Sequence, residues 1–323
     1  MTTSIASHTL NNGYSMLKLG LGCWMGKTGE GVNVETLTMV KDAIKAGYRH
    51  FDTAAGYGNE QAVGQAIRDS GIPRKEFFIT TKLMGLDHGR VHEAFDASNS
   101  KLGLDYVDLY LVHWPQATDP ETRKVLPPSA YPTIGDTWKD MEALLKTDKV
   151  RSIGVSNFSV KTLTELLQTA DIIPTVNQFE AHPYLPQDEV AELCQRKGIF
   201  CTAYSPLGQY NSPLLSDPVI VKIAETLKVS VAQVLLSWGI QRGNFSVVPK
   251  SSNPVRQAQN MELLTLSPED FRTLSELHRE PGKHRSLCGF GGGGLKTKDH
   301  VYGWSLEEMG WDKIAFAHHW EVK

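Results

Sequence analysis

Four residues in the first half of the chain are of types that move protons: Asp52, Tyr57, Lys82 and His113. Three of them close apolar runs. YRHF leads into Asp52, FFITT into Lys82 and VDLYLV into His113-Trp114, while Tyr57 follows Asp52 by five residues in the turn AAGYG. An unperturbed phenol, with a pKa of about 10, is poorly matched to proton donation at neutral pH. An ammonium about 4 Å away, at an effective dielectric near ~20, attracts the phenolate by roughly 4 kcal/mol, or about 3 pKa units before burial opposes it. A carboxylate beside that ammonium keeps it charged and oriented against the cost of desolvation. Singly, each residue has a plainer reading: Asp52 as the cap of a turn, His113 as a satisfied core histidine, Lys82 as a side chain reaching past a rim. Ionisable groups closing three successive apolar runs point instead to a shared site.

The elements that would bring these ends together can be read from the pattern. Eight short, nearly continuous apolar runs recur along the chain: KLGLGCW, YRHFDTA, FFITTKL, VDLYLVHW, VRSIGVSN, PTVNQFEA, IFCTAYSP and FSVVPKS. Such runs suit parallel strands buried on both faces. Amphipathic segments separate them. In NVETLTMVKDAIKAG, Leu37, Val40 and Ile44 recur at helical spacing, Asn33 can cap the start and Gly47 can end it. EQAVGQAIRDS, VHEAFDASNSKL, GDTWKDMEALLKT, VKTLTELLQTA and QDEVAELCQRKG behave alike, and residues 207–245 hold two further helices, PVIVKIAETLK and VAQVLLSWGIQ. Eight strands alternating with helices predict a (β/α)8 barrel with right-handed crossovers. The opening HTLNNGYSMLK predicts a hairpin whose two-residue turn is Asn12-Gly13. No internal repeat or linker marks a second domain, so residues 1–323 read as one barrel domain, with 281–323 a variable C-terminal tail.

In a barrel the strand ends share one mouth, where such folds carry their chemistry. Later runs also end on polar groups, Ser156-Asn157, Tyr204-Ser205 and Lys250-Ser251, and the sixth carries Gln178.

Composition narrows the function. The 323 residues are 41% hydrophobic and 21% charged, with a formal charge of −3, which gives no support to a nucleic-acid surface. No apolar run reaches membrane-span length, the N-terminus lacks a secretory pattern, and four scattered cysteines suit a reducing compartment, so the expected location is the cytoplasm. The His and Cys residues lack ligand spacing, and no HExxH occurs, so no metal is implied. Two phosphate-loop lookalikes fail. GFGGGG at 289–294 matches G-x-G-x-x-G but has neither a strand before it nor a helix after it, and reads as a flexible loop. GKT at 26–28 would need glycine where Leu21 stands.

Through about residue 280 the chain resembles the aldo-keto reductase family. GLGCW is similar to its first-strand motif and YRHFDTAAGYGNE to its signature; ITTKL, VDLYLVHWP, IGVSNF, VNQFEAHP, TAYSPLG and VPKSSNPVRQAQN follow in the family's order and spacing. The resemblance implies a (β/α)8 barrel binding NADPH without a Rossmann fold, with Asp52, Tyr57, Lys82 and His113 as catalytic tetrad. It implies reduction of aldehydes, possibly sugar-derived ones including uronic acids, or of ketones, with Tyr57 as general acid. His113 then orients the carbonyl oxygen or shares the acid role; the family's mechanism implies the former. Cofactor contacts carry over to Cys23, Trp24, Asp52, Ser156, Asn157 and Gln178, the last three suited to a carboxamide. Tyr204 would stack on nicotinamide, and Ser205, Pro206, Leu207 and Gly208 resemble the pyrophosphate strap. Lys250, Ser251, Ser252 and Arg256 suit an adenosine 2′-phosphate, and Gln259 and Asn260 would meet adenine. Gln259 departs from the family's common glutamate.

Trp24, Tyr57, Met84, His113 and Trp114 would line the substrate pocket. Met84 replaces a tryptophan common in the family and softens that wall. Three variable loops would set specificity: residues 115–135, the segment after Gly208, and the tail. Lys283, His284 and Arg285 could meet an acidic substrate, but read more simply as an exposed charge cluster. Two other functions fit the same residues: an NADP-dependent polyol or alcohol dehydrogenase running the reaction in reverse, and a nucleotide-binding regulatory barrel without turnover. A monomer is the family's common habit.

Overall fold

The computed structural model describes residues 6–29, 32–288 and 299–317. The GFGGGG segment, residues 289–294, lies outside the described residues. Two short antiparallel strands, β1 (Ser7–Thr9) and β2 (Ser15–Leu17), precede eight parallel ones: β3 (Leu21–Gly22), β4 (His50–Asp52), β5 (Phe78–Leu83), β6 (Val107–Val112), β7 (Val150–Ser156), β8 (Val176–Glu180), β9 (Phe200–Tyr204) and β10 (Phe245–Val248). The eight lie side by side in sequence order. The ring is joined where the N–H of Val247 donates to the Lys18 carbonyl at 2.8 Å and that of Gly20 to the Val247 carbonyl at 2.9 Å. At this seam a Cβ on Gly22 would lie 2.8 Å from the Val248 carbonyl oxygen, so the close approach requires glycine.

Helices cover the outside: α1 (Val34–Ala46), α2 (Glu60–Asp69), α3 (Val91–Leu102), α4 (Ile134–Leu144), α5 (Val160–Leu167), α6 (Asp188–Arg196), α7 (Pro218–Leu227) and α8 (Val231–Gln241). As the sequence predicts, the Asn33 side chain caps α1 by accepting from the Thr36 N–H, and Gly47 ends it at φ 104°. Two further helices, α9 (Pro254–Asn260) and α10 (Pro268–Glu276), carry too little apolar periodicity to be read beforehand; in α10 only Leu274 is buried. No helix among the described residues is long and apolar enough to cross a membrane.

The strand period of two sorts the barrel interior into layers. Toward the N-terminal end, Phe78, Leu109, Leu111, Val176 and Phe200 pack with Leu10 and Met16 of the hairpin, which plugs that end. His8 stacks on Phe200 with centroids 4.0 Å apart. The hairpin turn differs from expectation. Its loop spans Leu10–Tyr14, only Gly13 has positive φ, and Asn12 instead donates its amide to the Arg151 carbonyl and Ser152 Oγ at the barrel floor. Further along β4, β5, β8 and β9 toward the opposite mouth, the same alternation turns inward Asp52, Lys82, Gln178 and Tyr204.

The tail lies over that mouth. It forms β11 (His300–Val301), β12 (Trp304–Ser305), α11 (Leu306–Met309) and α12 (Lys313–Ala317). Trp304 Nε1 donates to the Leu126 carbonyl at 2.7 Å, and Gln116 Nε2 to that of Val301 at 2.8 Å, so the tail hairpin is fastened to the long loop after β6. The buried Glu180 carboxylate accepts from Ser286 Oγ at 2.5 Å, the Leu287 N–H at 2.6 Å and His182 Nε2 at 2.8 Å. The charge cluster is a fastener too, not a free patch. Lys283 lies 2.7 Å from both Asp217 and Glu280, and His284 lies 2.8 Å from Asp312.

Candidate active site

The fully buried Lys82 ammonium is the hub of the upper layer. Its Nζ donates to Asp52 Oδ1 at 2.5 Å and to the Thr53 carbonyl at 2.9 Å, and lies 3.5 Å from the Tyr57 hydroxyl. Asp52 Oδ2 accepts from Gln178 Nε2 at 2.7 Å, a bond that crosses the ring from β8 to β4. Burial pulls the Lys82 pKa down, but the Asp52 carboxylate and Tyr57 outweigh it and hold it above its ordinary value. The cation is therefore permanent at neutral pH.

Tyr57 sits on a tight turn, Ala55–Tyr57, ended by Gly58 at φ 65°. A Cβ on Gly58 would lie 2.0 Å from the Gly29 carbonyl oxygen, and the Gly29 N–H donates to the Tyr57 carbonyl at 2.9 Å. Buried Asn59 clamps the same turn. It donates to the Cys23 carbonyl and accepts from Thr53 Oγ1, both at 2.7 Å. Lys82 does lower the Tyr57 pKa, as its proximity predicts, but burial raises it more, and the net direction is upward. The phenol thus keeps its proton at neutral pH. His113 meets Tyr57 edge-on, with ring centroids 5.6 Å apart. Burial and the Lys82 charge push its pKa well below the ordinary histidine value, so it is a neutral imidazole. A neutral ring can donate one hydrogen bond but is not itself a charged acid.

The amide-bearing side of the mouth is tied to this group. Asn157, at φ 65°, donates its side-chain amide to the His113 carbonyl at 2.9 Å and Ser156 Oγ at 3.2 Å, and its Oδ1 accepts from the Tyr204 hydroxyl at 2.7 Å. Tyr204 is thereby held by its hydroxyl with its ring at the mouth. The expected trio Ser156, Asn157 and Gln178 is brought together, but two of its amides already serve His113 and Asp52. Beyond Tyr204 the chain turns through Ser205, Pro206, Leu207 and Gly208, with φ 47° at Ser205 and 72° at Gly208. A cavity of about 300 Å³ follows, lined by Gln209, Tyr210, Asn211, Ser212, Arg285 and their neighbours.

Lys250, Ser252 and Arg256 are exposed around the start of α9 and Gln259 near its end, with Lys250 Nζ donating to Ser252 Oγ at 2.8 Å. Ser251 is buried and accepts from the Asn253 N–H at 3.2 Å. Asn260 faces inward against Tyr48. Cys23 lies beneath the rim: its N–H donates to the Asp52 carbonyl, its carbonyl accepts from the Asn59 amide, and its thiol donates to the Leu21 carbonyl.

Rings form a continuous arc around the opening. Trp24 contacts Tyr57 at 5.1 Å between centroids, Tyr57 contacts His113, and His113 contacts Trp114 at 6.5 Å. Trp114 then meets Tyr302 at 4.6 Å and Trp311 at 5.8 Å, both from the tail. Met84 lies behind the Tyr57 turn, where its side chain comes within 4 Å of a Cβ built on Gly56. Sequence reasoning missed Asn59, Glu180, Tyr302 and Trp311. Glu180 carried a usable signal, since it stands two residues past Gln178 and so on the same strand face.

The model of the aldo/keto reductase family matches residues 18–279. The chain is 45% identical to glycerol 2-dehydrogenase (NADP(+)) of Saccharomyces cerevisiae over 293 residues, covering 86% of this chain and 92% of that one. It is 43% identical over 303 residues to aldehyde reductase YPR1 of the same yeast, covering 88% and 95%. A crystal structure of an aldo/keto reductase from Brucella melitensis superposes with a TM-score of 0.75 at 39% identity, covering 85% of this chain and all of that one.

Proposed function

The chain belongs to the aldo/keto reductase family, and from that premise we propose that it reduces aldehydes or ketones to alcohols with NADPH, Tyr57 giving the proton. The observation that carries this reading is the run Asp52–Lys82–Tyr57, with the phenol 3.5 Å from a buried cation at the mouth of the barrel. When bound, NADPH supplies the hydride.

The residues present suit that cofactor. Arg285 Nε is buried without a hydrogen-bond partner among the described residues, at the wall of the cavity that continues the Ser205–Gly208 turn. A guanidinium with unspent donors beside amide and hydroxyl side chains fits a pyrophosphate. Exposed Lys250, Ser252 and Arg256 would hold a 2′-phosphate, with Gln259 at the edge of the adenine site. Tyr204 would hold the nicotinamide by its ring face. Ser156, Asn157 and Gln178 would take its carboxamide with the hydrogen-bonding capacity their internal partners leave.

Tyr57 supplies the proton from its hydroxyl to the carbonyl oxygen. Lys82 stabilises the phenolate left behind, and Asp52 keeps Lys82 aimed at it. His113, neutral, donates a hydrogen bond to the same oxygen and so orients the carbonyl. Trp24 and Trp114 wall the substrate, and the tail covers it. The glycerol 2-dehydrogenase relative favours a second direction. By microscopic reversibility the same groups would serve alcohol oxidation with NADP+ as hydride acceptor, the Tyr57 phenolate taking the hydroxyl proton.

The test is Tyr57→Phe, assayed by loss of the reduced-nicotinamide absorbance with an aldehyde panel. Reduction should fall by about 10²–10⁴-fold, the usual worth of a positioned acid, while NADPH affinity stays nearly unchanged. Wild-type turnover in this variant would remove Tyr57 from the mechanism.

A further inference from the structure

Glu180 is a buried carboxylate that the proton chemistry does not use. It ends β8 in register with Tyr204, the last residue of β9, and so lies beside the point where the chain leaves the barrel for the Ser205–Gly208 turn. Burial alone would raise its carboxyl, but the bonds from His182, Ser286 and the Leu287 N–H hold it below its ordinary value, so it is an anion at neutral pH. Hydrogen bonds to an ionised acceptor are roughly twice as strong as neutral ones. Two of the three donors, Ser286 and Leu287, belong to one short stretch of the tail. That stretch faces the turn. Gly208, at φ 72°, is so closely approached that a Cβ built on it would lie 2.2 Å from Ser212 Oγ and 3.1 Å from Leu287 Cδ1. Leu287 and Arg285 also form one wall of the cavity of about 300 Å³, opposite Gln209–Ser212. Contacts thus run from Glu180 through the Leu287 backbone to the Leu287 side chain and on to the turn. Elsewhere the tail has its own fasteners: Lys283 to Asp217 and Glu280, His284 to Asp312, and the Ser286 N–H to the Ala315 carbonyl. Glu180 is not what keeps the tail docked; it fixes where Ser286 and Leu287 sit.

We propose that Glu180 is a positioning residue for the nicotinamide cofactor, which by anchoring Ser286 and Leu287 holds the Leu287 side chain against Gly208 and shapes the pyrophosphate cavity before the cofactor arrives. This rests on the function proposed above. A loop ordered in advance loses less conformational freedom when its ligand binds. Glu180 touches neither the reacting carbonyl nor Tyr57, so its effect falls on cofactor affinity and release and not on proton transfer.

The test is NADPH binding, followed by protein fluorescence, which requires no turnover. Glu180→Ala should weaken NADPH about three- to tenfold, chiefly through faster release, as one or two side chains are left to be ordered on binding. The aldehyde KM at saturating NADPH should stay within about twofold. Glu180→Gln keeps an oxygen for the Leu287 N–H and an amide that can donate to Ser286 Oγ, and should restore affinity to within about twofold of wild type. Leu287→Ala should weaken NADPH by itself, and Glu180→Ala added to it should cost much less than Glu180→Ala alone, because the two act in series. His284→Ala breaks a tail fastener remote from the turn and should leave NADPH affinity as it was. If Glu180→Ala does not fold, Ser286→Ala removes one anchoring bond and no charge, and should weaken NADPH about two- to threefold. Wild-type affinity in the anchor variant, losses from Glu180 and Leu287 that simply multiply, or an equal loss in His284→Ala overturns the inference. A wild type that binds NADPH but reduces no aldehyde removes the reductase reading and leaves the anchor to be decided by these titrations; a wild type that binds no NADPH removes both.

Discussion

Lys82→Met tests whether the buried cation acts through charge. Lys82 is wholly buried and meets Asp52 at 2.5 Å, the Thr53 carbonyl at 2.9 Å and Tyr57 at 3.5 Å. Removing one member of a buried ion pair costs about 3–5 kcal/mol, since the other charge is left uncompensated. Here Asp52 keeps the 2.7 Å bond from Gln178, so we expect the low end, about 3 kcal/mol. Asp52→Asn should cost a comparable amount by stranding the ammonium. The double variant removes both charges and strands neither, so its loss should fall short of the sum by about 2–3 kcal/mol, within the range for directly coupled residues. Reduction should behave otherwise. All three variants lose it, because Tyr57 no longer has an oriented cation to stabilise its phenolate. Urea unfolding gives the stabilities, and loss of nicotinamide absorbance gives the rates. Two results would refute the reasoning: stability losses that add within about 0.5 kcal/mol, which mark independent sites, or a double variant whose turnover recovers along with its stability.

Replacing both Lys250 and Arg256 by alanine should weaken NADPH by about 10²-fold or more, two charge-assisted contacts being lost, and NADH far less; equal loss for the two cofactors, measured by fluorescence titration, would defeat the 2′-phosphate assignment. Acid should destabilise the fold through its buried histidines. Burial lowers His50 and His88 from 6.5 to about 4. Between those values the unfolded chain binds protons that the folded one refuses, so stability is full above pH 6.5 and declines as pH falls toward 4. From pH 7 to pH 5 the loss should be about 2 kcal/mol per histidine by linkage. His88→Phe should remove its own share, about 2 kcal/mol, of a decline to which buried His113 also contributes; an unchanged slope of urea midpoint against pH would contradict it.

Much of this site could be read from the chain because a strand's period of two links sequence to position. Asp52, Lys82, His113, Ser156 and Tyr204 stand at or near run ends, Gln178 stands inside its run on the inward face, and in a ring of parallel strands these positions converge. What escaped has physical causes. Asn59 and Glu180 work through bonds to residues far along the chain, at Cys23 and Ser286–Leu287, and although its strand face marks Glu180 as pointing inward, nothing local names either set of partners. Lys283 and His284 resembled a solvated charge run until their partners Asp217 and Asp312 were in view. Helix α9 is seven residues led by proline, too short for a period to declare itself. The direction of the Tyr57 shift depended on burial, a quantity that a list of neighbouring charges does not contain.

The seam between β3 and β10 bears on how the molecule comes into being. During synthesis the residues around Leu21 emerge early and wait for their partner, Val247, until more than two hundred further residues have been made. Until then the sheet is an open ribbon with a bare margin on each side, able to pair with the wrong neighbour. Asp52, on the second barrel strand, likewise waits for Gln178. The proton-handling groups therefore come into register late and together, when the ribbon finally meets itself.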